Sequence, residues 1–398
     1  MARPGVDRDG WRDVRLLALV SLIGDISGEM LMAVLPFVLV AQGATGLGLG
    51  VVGGVTEGVG HAMKWVGGRV GQRMRRTVPL IGAGYLTAAL SRFGVALATA
   101  WPATLAFRSL DRVGKGLRTA PRDALLAGAV PPSERARAFG LHRAADTTGA
   151  VLGVLAALAG LAWVGASERQ IVLVAAAVGL TSVVPLFFVR EPALPPPVPG
   201  PGSPVEARTP GYLAFLAVAA TFSLGHVSYL FFLVRSTAGG ASVESAVLWY
   251  LLFNVVYAAA SYPFGMAADR WGRRRVLLVG FLLTALSALP FLAAPDPFLL
   301  TAGFAVLGLS YAAVEGNLRA LAADLAGERA RSTRLGEFHA LVGFATLVGG
   351  IAAGLLWDKV GARWAFAWCA AVSLLAAVGL AWMLRNHVAE RIHSAPTP

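Results

Sequence analysis

Apolar stretches close to 20 residues long recur along this 398-residue chain. Twelve can be placed, at about 16–40, 47–68, 79–99, 101–127, 138–163, 170–189, 211–234, 243–266, 276–294, 298–322, 337–356 and 364–385. A hydrocarbon core about 30 Å thick is crossed by about 20 helical residues. Lipid offers no water to backbone N–H and C=O groups, so runs of this kind must be helices. The expectation is an all-α membrane protein with twelve transmembrane helices. Composition agrees: 56% of residues are hydrophobic and only 14% charged, too little polar surface for a soluble chain of this size.

The fourth stretch is the least apolar. It carries Arg108, Asp111, Lys115, Arg118 and Arg122 at a 3-4-3-4 spacing. On a helix these five occupy an arc of roughly 80° along about 21 Å. Topology decides that the segment spans. Basic clusters lie at Arg69/Arg73/Arg75/Arg76, Arg135/Arg137, Arg273/Arg274/Arg275 and Arg329/Arg331/Arg334. With twelve spans and both termini cytoplasmic, every cluster falls on the cytoplasmic side; if 101–127 were a loop, the later ones would face outward. The charged stripe must then face protein or water rather than lipid.

The net charge of +12 raises nucleic acid as a partner, but arginines grouped in short loops act as topology determinants, and no nucleic acid is expected. Cys369 is the one cysteine, so neither a disulfide framework nor a metal-thiolate site can form within one chain. No cofactor is expected. The N-terminus lacks a signal-peptide pattern. Residues 191–210 form the only long linker; it is rich in proline and hence extended and semi-rigid. It separates an N-terminal six-helix half (1–190) from a C-terminal six-helix half (211–398). A weak repeat supports this division: PPSERARAFG ending at Gly140 and ERARSTRLG ending at Gly336 both lie between the fourth and fifth spans of their half.

Several local motifs carry a family resemblance. The segment Gly265-Met-Ala-Ala-Asp269-Arg270-Trp-Gly272-Arg273 resembles the loop motif between spans eight and nine of the major facilitator superfamily. Gly67 to Arg76 keeps the glycine and basic tail of the matching first-half loop but lacks its aspartate. Arg108 with Gly114 and Gly116, or Arg112 with Gly116, resembles the fourth-span arginine motif. Pro132 to Gly140 resembles the start of span five, and Gly354 to Gly361 the link from span eleven to twelve. The Gly-Pro motif of drug-proton antiporters is missing from span five, which reads Gly149-Ala-Val-Leu-Gly153. The resemblance implies the two-half fold of a secondary transporter, with Gly265, Asp269, Arg270, Gly272 and Arg273 at a gate. It also implies that spans one, four, seven and ten line a central cavity, with Asp25, Glu29, Arg108 and Asp111 facing it.

Charge inside a bilayer costs roughly 2.5–3.5 kcal/mol per group on insertion scales, so each such group needs a partner or water. Span one carries Asp25 and Glu29, span two Glu57, His61 and Lys64, and span five His142, Arg143 and Asp146. Asp25, Glu29, Glu57, Asp111 and Asp146 are the candidate proton-coupling acids. Arg108, Arg112, Lys115, His61, Lys64 and Arg143 are candidate solute-binding groups, joined by Tyr311, Glu315 and Arg319 on one face of span ten. A static ion-pair network is the competing reading of the same cluster. The second half is otherwise aromatic and apolar in its spans, which suits an amphipathic organic solute.

Gly48-x-Gly50-x-x-Gly53 fits a dinucleotide pattern, but no strand precedes it. His142-x-x-x-Asp146 fits an acyltransferase signature without the oxyanion donors that chemistry needs. Neither supports an enzyme. The expected function is proton-coupled transport of a small organic solute across the cytoplasmic membrane, with export preferred and a monomer in membrane lipid. An importer or exchanger of organic anions and a non-transporting receptor of the same fold are the alternatives.

Overall fold

The computed structural model describes residues 8–74, 76–190, 208–293, 296–326 and 331–393. Most of the expected linker (191–207), Arg75, Arg329 and part of the second repeat copy lie outside the described residues. The described residues form thirteen α-helices: α1 (Arg8–Ala41), α2 (Gly46–Arg73), α3 (Val78–Leu97), α4 (Trp101–Gly128), α5 (Arg135–Val164), α6 (Glu168–Thr181), α7 (Pro210–Gly225), α8 (Tyr229–Thr237), α9 (Val243–Trp271), α10 (Arg273–Ala288), α11 (Pro297–Leu325), α12 (Arg331–Lys359) and α13 (Ala362–His393). Helices α7 and α8 make one interrupted span, so the count is twelve. Ten of these spans are long and apolar enough to cross a membrane on length and composition; α2 and α4 have the length but are not among the ten.

Local chemistry sets the helix ends. Ser167 and Gln170 form a reciprocal capping box at the start of α6, satisfying two orphan donors. Asp296 accepts from the Leu299 N–H at 2.9 Å, just before Pro297 opens α11. Helix α5 stops at Gly165, and α9 turns into α10 at Gly272, where φ is +87°. That left-handed value favours glycine. Span seven breaks without a proline: α7 ends at Gly225, and Ser228 caps α8 by accepting from the Leu230 N–H. The Leu224 carbonyl released near the break accepts from Trp368 Nε1 at 2.8 Å.

The chain divides into two compact units. The first comprises the described residues up to Ala44 and within 55–190. Its helices α1 and α5 meet through glycines: a Cβ on Gly149 would stand 2.6 Å from the Leu22 carbonyl oxygen. Trp11, Leu17, Ile81, Tyr85, Leu125 and Leu186 belong to one apolar core there. The second unit comprises Thr45–Gly54 and the described residues from 208 onward. Its core stacks Phe222 on Phe281, with centroids 4.1 Å apart, and Phe215 on Phe338. The first turns of α2 lie on α12 in this unit. A Cβ on Gly354 would stand 2.5 Å from the Gly46 carbonyl oxygen, and Asp358 caps α2 by accepting from Gly46 N at 2.7 Å and Leu47 N at 2.9 Å.

Candidate functional site

The charged stripe of α4 is satisfied by neighbouring helices of the first unit. Arg108, Asp111 and Arg118 are buried. Arg108 pairs with Asp111 one turn along, and its Nη2 lies 3.1 Å from Met32 Sδ on α1. A residue that sequence reading passed over completes the group. Arg92 of α3 is buried 3.3 Å from the other Asp111 oxygen. Its second arm donates to Ser27 of α1, whose hydroxyl donates to the Ala175 carbonyl of α6. Four helices thus meet on one carboxylate and its two guanidiniums. Arg108 and Asp111, expected to face an open cavity, are instead enclosed between α1, α3 and α4, because two buried arginines need the acid more than solvent does. The signal for Arg92 was present: an arginine in mid-span requires an acid somewhere in the bundle.

Arg118 lies over the Tyr85 ring, 3.7 Å from its centroid. Its Nε and Nη1 are buried with no hydrogen-bond partner among the described residues, and the same holds for the Tyr85 hydroxyl. Stacking on the ring face offsets part of that cost.

The remaining α4 cations make looser pairs. Arg112 reaches Glu57 of α2 at 3.2 Å, with half of the Glu57 side chain exposed. Lys115 Nζ lies 3.8 Å from Asp25 of α1. Arg122 bonds Asp123 at 2.9 Å and the Ser21 hydroxyl at 3.2 Å. Ser21 donates to Asp146 of α5 at 2.5 Å, and His142 Nδ1 stands 3.5 Å from the other Asp146 oxygen. Glu29, His61 and Lys64 are half-buried and Arg143 exposed. The structure therefore brings Asp25, Glu57, Asp111 and Asp146 each beside a base or hydroxyl of a neighbouring helix.

In the second unit, Glu315 accepts from the Tyr257 hydroxyl and pairs with Arg319 at 2.9 Å. Tyr311 meets His226 Nε2 at 3.0 Å, at the interruption of span seven. Tyr229, Tyr250, Phe253, Tyr257 and Tyr311 form consecutive ring contacts along this face. Of the expected gate residues, Gly265 has open space around it, Asp269 and Arg270 are exposed, and Gly272 makes the turn. Arg273 pairs with Asp324 of α11, a partner that sequence reading did not name.

Twelve helical spans with ionised groups enclosed by protein define an integral, multi-pass membrane protein. The chain belongs to the major facilitator superfamily of transporters, whose model matches residues 17–247 and 213–398. It is 33% identical over 363 residues to an uncharacterised MFS-type transporter of Methanocaldococcus jannaschii, covering 88% of this chain and 90% of that one. A shorter match, 37% identical over 125 residues, covers 31% of this chain and 24% of a puromycin resistance protein of Streptomyces alboniger. The fold superposes on a variant of the nucleoside transporter NupG with a TM-score of 0.78 at 14% identity, covering 94% of this chain and 99% of that one.

Proposed function

We propose that this transporter exports a small organic solute across the cytoplasmic membrane by alternating access, driven by protons moving inward. The observation that carries the reading is the pair of partly exposed ion pairs, Lys115–Asp25 and Arg112–Glu57. Pairs this open can exchange a partner for a proton or a solute group, whereas the enclosed Arg92–Asp111–Arg108 cluster is built to stay closed. Asp25, Glu29, Glu57 and Asp146 are the coupling candidates, and Arg112, Lys115, Lys64, His61 and Arg143 are candidate solute contacts. Tyr311 would bind the aromatic or apolar part of the solute, with the Glu315–Arg319 pair offering a polar contact beside it. Export is supported by the partial relative named for puromycin resistance. The basic clusters support cytoplasmic termini.

Purified protein in proteoliposomes with an imposed pH gradient tests the reading: solute-driven proton movement is expected for at least one member of a broad panel. Its absence across the panel would sink the proposal. A second reading, exchange of organic anions, is favoured by the fourth-span bases Arg112 and Lys115, whose pairs with Glu57 and Asp25 are partly exposed. It predicts anion counterflow that is insensitive to the pH gradient.

A further inference from the structure

Two aromatic rings and a carboxylate make a corner on one face of the second unit. Tyr257 of α9 and Tyr311 of α11 stand almost at right angles, with centroids 6.2 Å apart and planes at 78°. Glu315 follows Tyr311 by four residues on α11, so the two share a face. The Tyr257 hydroxyl donates to one Glu315 oxygen, which closes the third side. All three side chains are partly open: the two tyrosines are half-buried and Glu315 is 49% exposed.

The corner is held from behind. Phe253, buried on α9, stacks on Tyr257 at 6.2 Å and meets Tyr311 edge-to-face at 5.1 Å. The Tyr311 hydroxyl is tied to His226 Nε2 at 3.0 Å, at the break in span seven. Rings fixed before a ligand arrives lose little freedom on binding. Glu315 and Arg319 lie well inside α11 (Pro297–Leu325), where a charged pair faces protein or water rather than lipid. The open side of the corner is therefore wet.

Ring faces carry negative charge density, so they attract cations and repel anions. Helix α7 ends at Gly225, next to His226, and a helix C-terminus also favours positive charge. Glu315 adds a full negative charge. The opposing group is Arg319, which pairs with the other Glu315 oxygen at 2.9 Å and rests its Nε on the Glu315 carbonyl at 3.1 Å. We infer that Tyr257, Tyr311 and Glu315 form a subsite for an organic cation. The alkyl or aryl groups on its charged centre lie against the two rings, and the charge faces the carboxylate. The inference rests on the transport reading above and gives its solute a charge class.

The charges fix the part played by Arg319. The empty corner is neutral, one carboxylate against one guanidinium. A bound cation takes the place of Arg319 at the carboxylate and leaves one positive charge in excess. That excess sits on Arg319, whose side chain is 43% exposed and reaches water. Arg319 thus competes with the solute for a single acid.

Tetraphenylphosphonium and tetraphenylborate have the same shape and opposite charge, so together they separate charge from greasiness. Binding of each to the full-length protein in nanodiscs would be measured by equilibrium dialysis, with empty nanodiscs subtracted. Saturable binding is expected for the phosphonium and none for the borate at the same concentration. E315Q should weaken phosphonium binding at least about tenfold, and E315D should restore it to within about threefold of wild type. Y311L should weaken it at least about threefold, while Y311F, which keeps the ring, should not. R319Q should tighten it at least about threefold, because the competing cation is gone. General loosening of the fold would weaken binding in E315Q and R319Q alike, so opposite movement is the diagnostic. If E315Q does not fold, R319Q decides alone: tighter binding supports the subsite, and unchanged or weaker binding overturns it. Absence of saturable phosphonium binding, or equal binding of the borate, also overturns it. The solute-driven proton assay is scored separately. Phosphonium binding as described without proton movement for any solute would sink the coupled-transport reading and leave the subsite. Proton movement driven only by neutral or anionic members of the panel would sink only the subsite.

Discussion

Arg92 on α3 and Asp111 on α4 meet at 3.3 Å with both side chains almost wholly enclosed. Arg108 closes on the same acid from the other side. One carboxylate therefore serves as counter-charge to two guanidiniums, and its loss should outweigh the loss of either base. Asp111→Asn is expected to cost about 3–5 kcal/mol, because it leaves two buried cations without their counter-charge. Arg92→Gln should cost less, since Arg108 still serves Asp111. Thermal unfolding in nanodiscs ranks the two, and the reverse order would show that the cluster is held from α3 rather than from the acid.

Tyr85 offers a ring to Arg118 but its hydroxyl has no hydrogen-bond partner among the described residues. Tyr85→Phe keeps the ring and should stay within about 0.5 kcal/mol of wild type. Tyr85→Leu removes the π face as well as packing and should cost about 2–4 kcal/mol. Equal losses in the two variants would mean that the hydroxyl, not the ring, carries the contact.

Asp358 is the cap of α2, accepting from Gly46 N and Leu47 N. Asp358→Ala should destabilise by about 0.5–2 kcal/mol through the exposed donors. Amide hydrogen exchange provides the local check: exchange at residues 46 and 47 should quicken while the rest of α2 is unaffected. Unchanged protection there would remove the cap from the account.

Two glycines of α5 should respond oppositely to a larger side chain. Gly140 has open space around it, so Gly140→Ala is expected to stabilise by about 0.4–1 kcal/mol. Gly153 lies against α1, where a Cβ would press on the Ile26 backbone and stand 3.0 Å from Glu29 Cβ. Gly153→Leu must force the helices apart, at about 1–3 kcal/mol or more. Melting temperatures of the two variants on opposite sides of wild type are the expected outcome.

What could be read from residues alone followed their physics. The span α4 was legible despite its charges, because spacing placed them on one face and the basic loops required a crossing there. Glu315 and Arg319 were legible as an i,i+4 pair for the same reason. Arg92 was not, because a single arginine inside an apolar run sets no periodicity; only a search for its buried acid would reveal it. The interruption of span seven at His226 was hidden too. No proline marks it, and the carbonyl it releases is satisfied by Trp368, more than a hundred residues away in sequence. The grouping of Thr45–Gly54 with the second unit depends on glycine approaches that exist only in three dimensions.

That grouping has a consequence for the order in which the molecule can be built. Gly46 and its cap Asp358 are 312 residues apart, so α2 leaves the ribosome long before the helix that completes its beginning. At about 5–20 residues per second, the wait is of the order of tens of seconds. During it the first N–H groups of α2 bond to water or lipid headgroups in place of Asp358. Asp358 arrives only with α12, so the start of α2 receives its cap when most of the chain has already been made.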